Sequence, residues 1–497
     1  MHAANHNTLN RFAGLLLVLG SLVASAVHTL AASKPNIVFI LADDLGWADV
    51  GFNNPDCFYD TPNVDRLARS GLNFTSAYAA SPVCSPTRFS IMTGKSPARD
   101  AVTDWFTGTR EGRFKSAELK NYMSLEEVTL AEALRDGGYR TAFVGKWHLG
   151  EDEKYWPEHQ GFEINVGGWA AGSPRPGYFA PFNNPRLPPY PDGKHLPEAL
   201  TDESLRILER FKQGPFLLYL SYYSVHSPFQ GRSDLVAKYE KRRAERLAQG
   251  KPEFGSEEQV WPGKAARQVR TQQAHAVYGA MVEAMDEQIG RVLAKLDELG
   301  IADNTVVIFT SDNGGLSTSE GLPTSNLPLR GGKGWLYEGG VREPLIVRWP
   351  GVTKAGSQCA VPVNSTDFYP TFLEIAGLPT KPEQHLDGIS FASLLRGGAP
   401  QDPQRAICWH YPHYSNQGGF PGGAIRVGDW KLIERYEDGR VSLYNVVRDI
   451  GEQNDLAEQE VERVKTMRGQ LHAWYRETGA KFLRPKTPNG TQPWRPD

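Results

Sequence analysis

One short segment of the chain combines a cysteine with an arginine four residues later, Cys84-Ser85-Pro86-Thr87-Arg88. The residues that follow, up to Thr93-Gly94, are typical of a helix. Cys84 would then lie at a helix N-terminus, whose positive field favours an anion. Taken alone, the segment is more typical of a buried free cysteine at a helix start. Other residues must show whether Cys84 does chemistry.

Two pairs of oxygen-bearing side chains could bind a metal ion, Asp43-Asp44 and Asp312-Asn313. Carboxylate and amide oxygens suit a hard cation, Ca²⁺ or Mg²⁺, rather than zinc. Either pair alone is typical of a tight turn or a helix cap. Because both pairs follow predicted buried strands, we interpret them together as one site for a divalent cation.

Basic residues could complete a site for an anion. Lys146 and Lys333 could hold an anionic group, and Arg88 could fix the nucleophile. His148 and His226 could donate protons or contact the anion. Lys333 lies in a glycine-rich loop, where the backbone can approach a ligand closely. Each residue alone is typical of a solvated charge or a structural histidine, so the hypothesis depends on their convergence.

The polar residues follow four predicted strands with nearly continuous apolar runs, which are typical of strands buried on both faces. These strands cover residues 36–41, 139–144, 216–222 and 305–310. The carboxyl ends of parallel strands meet at one edge, where ligands bind in open α/β sheets. The sequence therefore predicts an α/β fold with a large, mostly parallel sheet flanked by helices, and it predicts that the motifs converge.

Further elements are predicted around this sheet. A capping box of Ser124 and Glu127 is expected to start one helix, and a long helix is expected over about residues 266–299. From about residue 377 the pattern changes. It predicts antiparallel strands and then a final helix, over residues 424–434, 440–446 and 459–478. We expect a smaller C-terminal subdomain that contains an antiparallel sheet and a helix.

The N-terminal residues have the features of an export signal. Arg11 precedes an apolar run, residues 13–27, that is shorter than a membrane-spanning helix needs, and small residues follow it. We expect a cleaved signal peptide over residues 1–32, a catalytic domain over 33–377 and the C-terminal subdomain over 378–497. This predicts a periplasmic or secreted protein with no membrane attachment after cleavage. An uncleaved membrane anchor is the alternative.

The net charge and the cysteine content limit which partners, metals and disulfides we expect. The formal net charge is −3 at pH 7, which provides no basic field for nucleic acid. The chain has four cysteines, and no pair has the spacing of a zinc finger. In an oxidising compartment one disulfide could form, for which Cys359 and Cys408 are the weakly favoured pair.

Taken together, the motifs resemble those of the type I, formylglycine-dependent sulfatases of the alkaline phosphatase-like superfamily, and especially those of N-acetylgalactosamine-sulfatase and arylsulfatase A-type members. Besides the Cys84 segment, the resemblance covers Pro35-Asn36 and residues 145–150, 311–315 and 333–342, in the family's order. It implies an alkaline phosphatase-like fold and a sulfuric ester hydrolase.

The resemblance also implies a cofactor chemistry. Cys84 would be oxidised to formylglycine by a formylglycine-generating enzyme. The hydrate of this group would attack sulfur and form a covalent sulfate intermediate. One Ca²⁺ ion per subunit would be bound by residue 84 together with Asp43, Asp44, Asp312 and Asn313.

The same resemblance implies roles for the basic residues. Arg88 would stabilise the formylglycine, and His148 would stabilise its hydroxyl. Lys146, His226 and Lys333 would bind the sulfate. His226 or Lys333 would protonate the leaving oxygen.

The segment from Trp409 to Gln417 is aromatic and rich in hydrogen-bonding groups, as sugar sites are. The alternative is an ordered loop that packs the two subdomains together. Because similar segments occur in sulfatases of the N-acetylgalactosamine-sulfatase type, we expect a sulfated carbohydrate substrate, a galactose or N-acetylgalactosamine unit of a polysaccharide. The predicted substrate contacts are Trp105, His159, Arg175, His410, His413 and Asn416.

Two other functions are compatible with a sheet of this type. A phosphatase or phosphonate monoester hydrolase of the same superfamily would share the metal-binding edge. A non-catalytic glycan-binding homologue would share the fold, although the complete set of polar residues argues against it.

Overall fold

Strands and helices alternate along the chain in the computed structural model, which describes residues 34–106, 112–260 and 266–496. The strands of these residues are β1 (Asn36–Ala42), β2 (Leu72–Tyr78), β3 (Arg140–Gly145), β4 (Ile164–Val166), β5 (Phe216–Ser221), β6 (Phe254–Ser256), β7 (Gln268–Arg270), β8 (Thr305–Ser311), β9 (Arg342–Arg348), β10 (Ser357–Cys359), β11 (Val363–Asn364), β12 (Ala406–Tyr411), β13 (Gly422–Val427), β14 (Trp430–Arg435) and β15 (Val441–Asn445). The α-helices are α1 (Pro62–Ser70), α2 (Cys84–Thr93), α3 (Leu130–Asp136), α4 (Leu196–Phe211), α5 (Ser233–Leu247), α6 (Ala276–Glu298), α7 (Glu338–Val341), α8 (Phe368–Ile375), α9 (Ala392–Leu395) and α10 (Val461–Thr478).

Nine strands of the described residues form one mixed sheet in the order β10-β2-β9-β8-β1-β5-β3-β4, with β11 beside β2. The strands β8, β1, β5, β3 and β4 are mutually parallel. Strand β9 runs antiparallel to both of its neighbours, β8 and β2. The predicted mostly parallel sheet is therefore confirmed, with one reversed strand that its apolar pattern did not reveal.

The central strand β1 is buried along its whole length. Its residues alternate between two apolar clusters: Val38 packs in the cluster that contains Met285 of α6, and Phe39 packs in the cluster that contains Phe372 of α8. The Phe39 and Phe372 ring centroids are 5.5 Å apart. Helices thus cover both faces of the sheet, which explains why the strand is apolar at every position except its first.

A second sheet lies in the C-terminal part of the chain. Its four strands are antiparallel and follow the order β12-β13-β14-β15. Residues of this sheet and of helix α10, including Trp409 and Tyr475, share one apolar cluster. The predicted antiparallel sheet and helix are confirmed. Residues from Lys34 onward form a single compact unit, and the domain boundary at residue 377 stays a prediction.

Two predicted helix starts were wrong. Helix α6 begins at Ala276, because residues 268–270 pair with β6 instead of extending the helix. The capping box lies one turn later than expected, at Thr129 and Glu132, whose side chains each accept a hydrogen bond from the other's backbone amide. Ser124 and Glu127 match the same pattern but bind lysines instead, Lys120 and Lys95.

The predicted strand over residues 424–434 is also wrong as a single element. Gly428 has a φ of 55° and reverses the chain between β13 and β14. Only glycine and a few polar residues adopt this conformation at low cost. The segment is therefore a hairpin, and both of its strands belong to the C-terminal sheet.

Three further expectations concern export and cysteines. The signal peptide expected over residues 1–32 lies outside the described residues. No helix in the described ranges combines the length and hydrophobicity that crossing a membrane requires. All four cysteines of the chain fall within those ranges and are free, so the pair Cys359 and Cys408 is not bonded.

Candidate active site

The carboxyl ends of four parallel strands bring the predicted polar residues to one edge of the sheet. Asp43 follows β1, Lys146 follows β3 and Asp312 follows β8. Backbone hydrogen bonds hold these ends in register: the Lys146 amide donates to the Ser221 carbonyl at 2.9 Å, and the Asp312 amide donates to the Ala42 carbonyl at 3.2 Å. Four sequence motifs that are far apart along the chain thus converge.

The acidic residues of this edge are fully buried and linked to each other. The Asp44 amide donates to Asp312 Oδ1 at 3.2 Å, and Asn313 Nδ2 donates to Asp44 Oδ1 at 2.8 Å. Asp44 has a φ of 61°, a conformation that is uncommon for a residue other than glycine. The three side chains are 0% exposed. Such a density of buried carboxylates requires compensating positive charge.

Part of that compensation comes from Arg88, which is only 2% exposed. Its Nε and Nη2 lie 2.9 and 2.7 Å from Asp312 Oδ2. Its Nη1 donates to the Lys146 carbonyl at 2.8 Å and to Ser221 Oγ at 2.6 Å. Arg88 therefore ties helix α2 to the ends of β3, β5 and β8.

Cys84 is the first residue of helix α2, as the sequence predicts, and it is buried. Its Sγ lies 3.3 Å from Nδ1 of His148. Burial raises the pKa of the Cys84 thiol, although Lys146 and Lys333 act in the opposite direction. Burial and the same lysine, Lys146, lower the pKa of His148 well below its usual value. A neutral thiol therefore faces a neutral imidazole.

Lys333 and His226 approach the acidic residues from the other side. Lys333 Nζ donates to Asp44 Oδ2 at 2.8 Å, and His226 Nε2 lies 3.8 Å from the same oxygen. Burial, followed by the charge of Lys333, lowers the pKa of His226 to about 4. Lys146 Nζ donates to Asp43 Oδ2 at 2.6 Å. Each carboxylate at the end of β1 is thus held by one lysine.

The oxygen atoms left over at this edge fit a divalent cation. Within the described residues, Asp43 Oδ1 and Asn313 Oδ1 are buried and accept no hydrogen bond. Buried polar atoms without a partner are costly, and an unfilled ligand position is one explanation for them. One ligand atom each from Asp43, Asp44 and His226 lies within 4.8 Å of the others. The donor set is mainly oxygen, which suits Ca²⁺ or Mg²⁺.

A cavity of about 310 Å³ opens above these residues. Its base includes Cys84, His148, His226 and Lys333. Three of the predicted substrate contacts line its walls, Trp105, Arg175 and Asn416. The indole nitrogen of Trp105 donates to Asn416 Oδ1 at 3.1 Å, so two of these contacts also bind each other.

The other three predicted substrate contacts do not line this cavity. His410 lies within strand β12, where its Nδ1 is 2.6 Å from the Tyr436 hydroxyl and its Nε2 is 2.8 Å from the Lys481 carbonyl. His413 is also buried, with Nε2 2.7 Å from Thr103 Oγ1. His159 is exposed at the end of a short turn. The first three residues of the segment from Trp409 to Gln417 are strand rather than loop, and Trp409 and Tyr411 pack in the core of the C-terminal sheet.

Several cavity residues were missed by the sequence interpretation. Phe106, Trp169 and Glu320 line the cavity, and Ser221 contacts Arg88 behind it. Ser221 could have been found, because it ends a buried strand at the functional edge. The others lie in irregular segments whose residues carry no motif.

Comparisons with known proteins agree with this geometry. The family described as Sulfatase matches residues 35–378, and the family described as N-sulphoglucosamine sulphohydrolase, C-terminal, matches residues 332–477. A sulfatase of Formosa agariphila is 32% identical, with 92% of each chain covered. The N-acetylgalactosamine-6-sulfatase of Mus musculus is 32% identical, over 77% of this chain and 70% of the relative.

Solved structures show the same relationship. The crystal structure of Ps i-CgsB in complex with k-i-k-neocarrahexaose has a TM-score of 0.71 and 27% sequence identity, and the match covers 89% of this chain and 93% of the other. The large mixed sheet, the helices on both faces and the polar strand ends define a hydrolase with an alkaline phosphatase-like fold. The chain belongs to the sulfatase family and is a sulfuric ester hydrolase.

Proposed function

We propose that this sulfatase cleaves the sulfate ester of a galactose or N-acetylgalactosamine unit in a polysaccharide, with Cys84 oxidised to formylglycine and one Ca²⁺ ion at the acidic edge. The observation that carries the proposal is the position of Cys84. Cys84 is the first residue of helix α2, and it lines the cavity. Its Sγ lies 3.3 Å from Nδ1 of His148. A formylglycine-generating enzyme would be required before activity appears.

The ion would be held by residue 84 together with Asp43, Asp44, Asp312 and Asn313, whose oxygens include the two unpartnered atoms. When bound, it would supply a positive charge that polarises the sulfate oxygens and lowers the cost of charge in the transition state. Arg88 orients Asp312 through a hydrogen bond from Nε and an ion pair from Nη2, both to Oδ2.

We assign the remaining catalytic roles, which are proton transfer and sulfate binding, to residues at the base of the cavity and beside it. His148 is neutral because of burial and can accept a proton from the attacking hydroxyl at position 84. Lys146, Lys333 and His226 would bind the sulfate, and the charges of the two lysines would neutralise its negative charge as the ester bond breaks. His226 or Lys333 would donate the proton to the leaving sugar oxygen, since both lie at the base of the cavity.

The walls of the cavity support a sugar rather than a small ester. Trp105 and Trp169 provide flat apolar faces, and Arg175 and Asn416 provide polar groups beside them. This combination is what sugar binding needs. Two relatives support the same class: one is an N-acetylgalactosamine-6-sulfatase, and another was crystallised with k-i-k-neocarrahexaose.

The proposed export route follows from the N-terminal residues. We propose that residues 1–32 are a cleaved signal peptide and that the mature protein is periplasmic or secreted. Its catalytic domain would cover residues 33–377 and its C-terminal subdomain residues 378–497. N-terminal sequencing of the mature protein tests the cleavage, and a mature chain that retains Arg11 would contradict it.

Assays on defined substrates test the function. The matured enzyme is expected to release sulfate from sulfated galactose or N-acetylgalactosamine saccharides, and to turn over a sulfate ester faster than the matching phosphate ester. Full activity on aryl sulfates with none on any sulfated sugar would reject the substrate class. A faster rate on the phosphate ester would reject the sulfatase mechanism and favour the phosphatase alternative.

A further inference from the structure

Glu320 is an acidic side chain in a cavity whose base presents Lys333 and two histidines to an anionic substrate. We infer that Glu320 is a specificity-determining residue, whose carboxylate disfavours substrates that carry a second anionic group next to the scissile sulfate. This inference rests on the proposed function. Glu320 lines the cavity together with Cys84, His226 and Lys333, and its Oε2 accepts a hydrogen bond from Ser227, next to His226.

Neutral donors from two distant segments fix the Glu320 carboxylate. Ser227 Oγ donates to its Oε2 at 3.2 Å. Asn416 Nδ2 and Gln417 Nε2 donate to its Oε1 at 3.1 and 2.6 Å. Ser227 directly follows His226, and Asn416 also binds Trp105. The carboxylate is thus held between the proton-donor side of the cavity and its sugar-binding wall.

These donors hold the carboxylate in place without neutralising its charge. Burial lowers the pKa of His226 to about 4. Burial acts in the same direction on Lys333, but nearby negative charges, chiefly that of Asp44, together outweigh it, so the pKa of Lys333 is raised overall. The charge of Glu320 is near enough to act in the raising direction on both groups. A neutral hydroxyl of a sugar can donate a hydrogen bond to such a carboxylate. A sulfate or carboxylate in the same position would be repelled and would lose its water, which penalises the doubly charged substrate.

The contrast with Glu151 separates position from charge. Glu151 lines the same cavity but is exposed at its rim, where water screens its charge. Replacement of Glu320 with glutamine removes the charge and preserves the shape. Replacement with aspartate keeps the charge. Glu151→Gln removes one charge from the rim and is the matched control.

The experiment uses matured enzyme and a pair of sugars: a monosulfated galactose or N-acetylgalactosamine that the enzyme cleaves, and the same sugar with a second sulfate on the neighbouring hydroxyl. The ratio of kcat/KM for the two sugars is measured. Wild type and Glu320→Asp are expected to prefer the monosulfated sugar at least about tenfold. Glu320→Gln is expected to reduce that preference about tenfold, and Glu151→Gln by less than about twofold.

Each result has one meaning. A ratio that is the same in Glu320→Gln and wild type, or that Glu151→Gln changes equally, overturns the inference while the proposed function stands. A wild-type enzyme that prefers the disulfated sugar also overturns it. If no variant cleaves the disulfated sugar, we measure its inhibition constant as a competitor of the monosulfated substrate in wild type and in Glu320→Gln. An inhibition constant that is the same in both proteins overturns the inference. Failure of wild type on every sulfated sugar rejects the proposed substrate class instead.

Discussion

Replacing Arg88 with methionine tests the buried charge network that supports the active site. The Arg88 guanidinium contacts Asp312 Oδ2 through Nε at 2.9 Å and through Nη2 at 2.7 Å, and it is 2% exposed. Methionine fills much of the same volume but carries no charge. Asp312 would then be buried without its main partner.

The structure gives the size of the expected effect. Removing one partner of a buried ion pair costs about 3–5 kcal/mol. The lost bond from Arg88 to the Lys146 carbonyl adds little, because Ser221 Oγ also donates to that carbonyl at 2.8 Å. We therefore expect the free energy of unfolding to fall by about 3–5 kcal/mol. Turnover should fall about 100-fold, since small displacements of catalytic groups have effects of that size.

Urea unfolding followed by circular dichroism measures the loss, first in chelator and then in excess Ca²⁺. The loss should be smaller with Ca²⁺, because a cation beside Asp312 would replace part of the missing charge. The matched control is Arg484→Met, whose pair with Glu118 has side chains 48% and 70% exposed. Exposed pairs contribute about 0–1 kcal/mol. An Arg88→Met protein as stable as the Arg484→Met protein would show that Arg88 does not stabilise the fold by compensating the buried Asp312.

Four other predictions follow from the same structure. Cys84→Ala should abolish sulfate release while circular dichroism and the unfolding midpoint stay close to wild type; substantial turnover in that variant would reject the assignment of the nucleophile. Removal of divalent ions should lower both the melting temperature and the activity, and Ca²⁺ should restore both; enzyme that is fully active with no divalent ion by metal analysis would contradict the metal site. Burial lowers the pKa of His410 to about 3, so the unfolded state binds the proton more readily than the folded state. The contribution of His410 to stability should be complete above about pH 6.5, and stability should fall by up to about 1.4 kcal/mol per pH unit below it. A His410→Gln variant with the same pH dependence of stability as wild type would exclude this cause. His226→Ala and Lys333→Ala should be compared on esters with good and poor leaving groups: the variant that lacks the proton donor should lose far more rate on the poor leaving group, and equal losses on both in each variant would show that neither residue protonates the leaving oxygen.

The functional edge could be predicted from the sequence because parallel strands constrain it. Once β1, β3 and β8 are recognised as buried apolar runs, the residues after them must meet at one edge. No similar constraint applies to the reversed strand β9, since an apolar run does not show its direction. The sequence pattern therefore predicted the convergence of the polar residues correctly, but it did not predict the direction of every strand.

The substrate contacts were predictable only in part. Trp105, Arg175 and Asn416 line the cavity, whereas His410 lies in a strand that was interpreted as part of a sugar-binding segment. The aromatic residues of that segment pack in the C-terminal core, and aromatic content alone does not separate core from sugar site. Glu320 could not have been found, because it lies in an irregular turn that no strand end or motif places at the cavity.

We propose that the side chain of Cys84, oxidised to formylglycine, performs the chemistry at this edge. The most direct measurement is mass spectrometry of the peptide that contains residue 84, made on enzyme produced with increasing amounts of a formylglycine-generating enzyme and assayed in parallel. We expect the rate of sulfate release to rise in proportion to the fraction of chains with the aldehyde. Full activity in a preparation whose residue 84 is entirely thiol would contradict it.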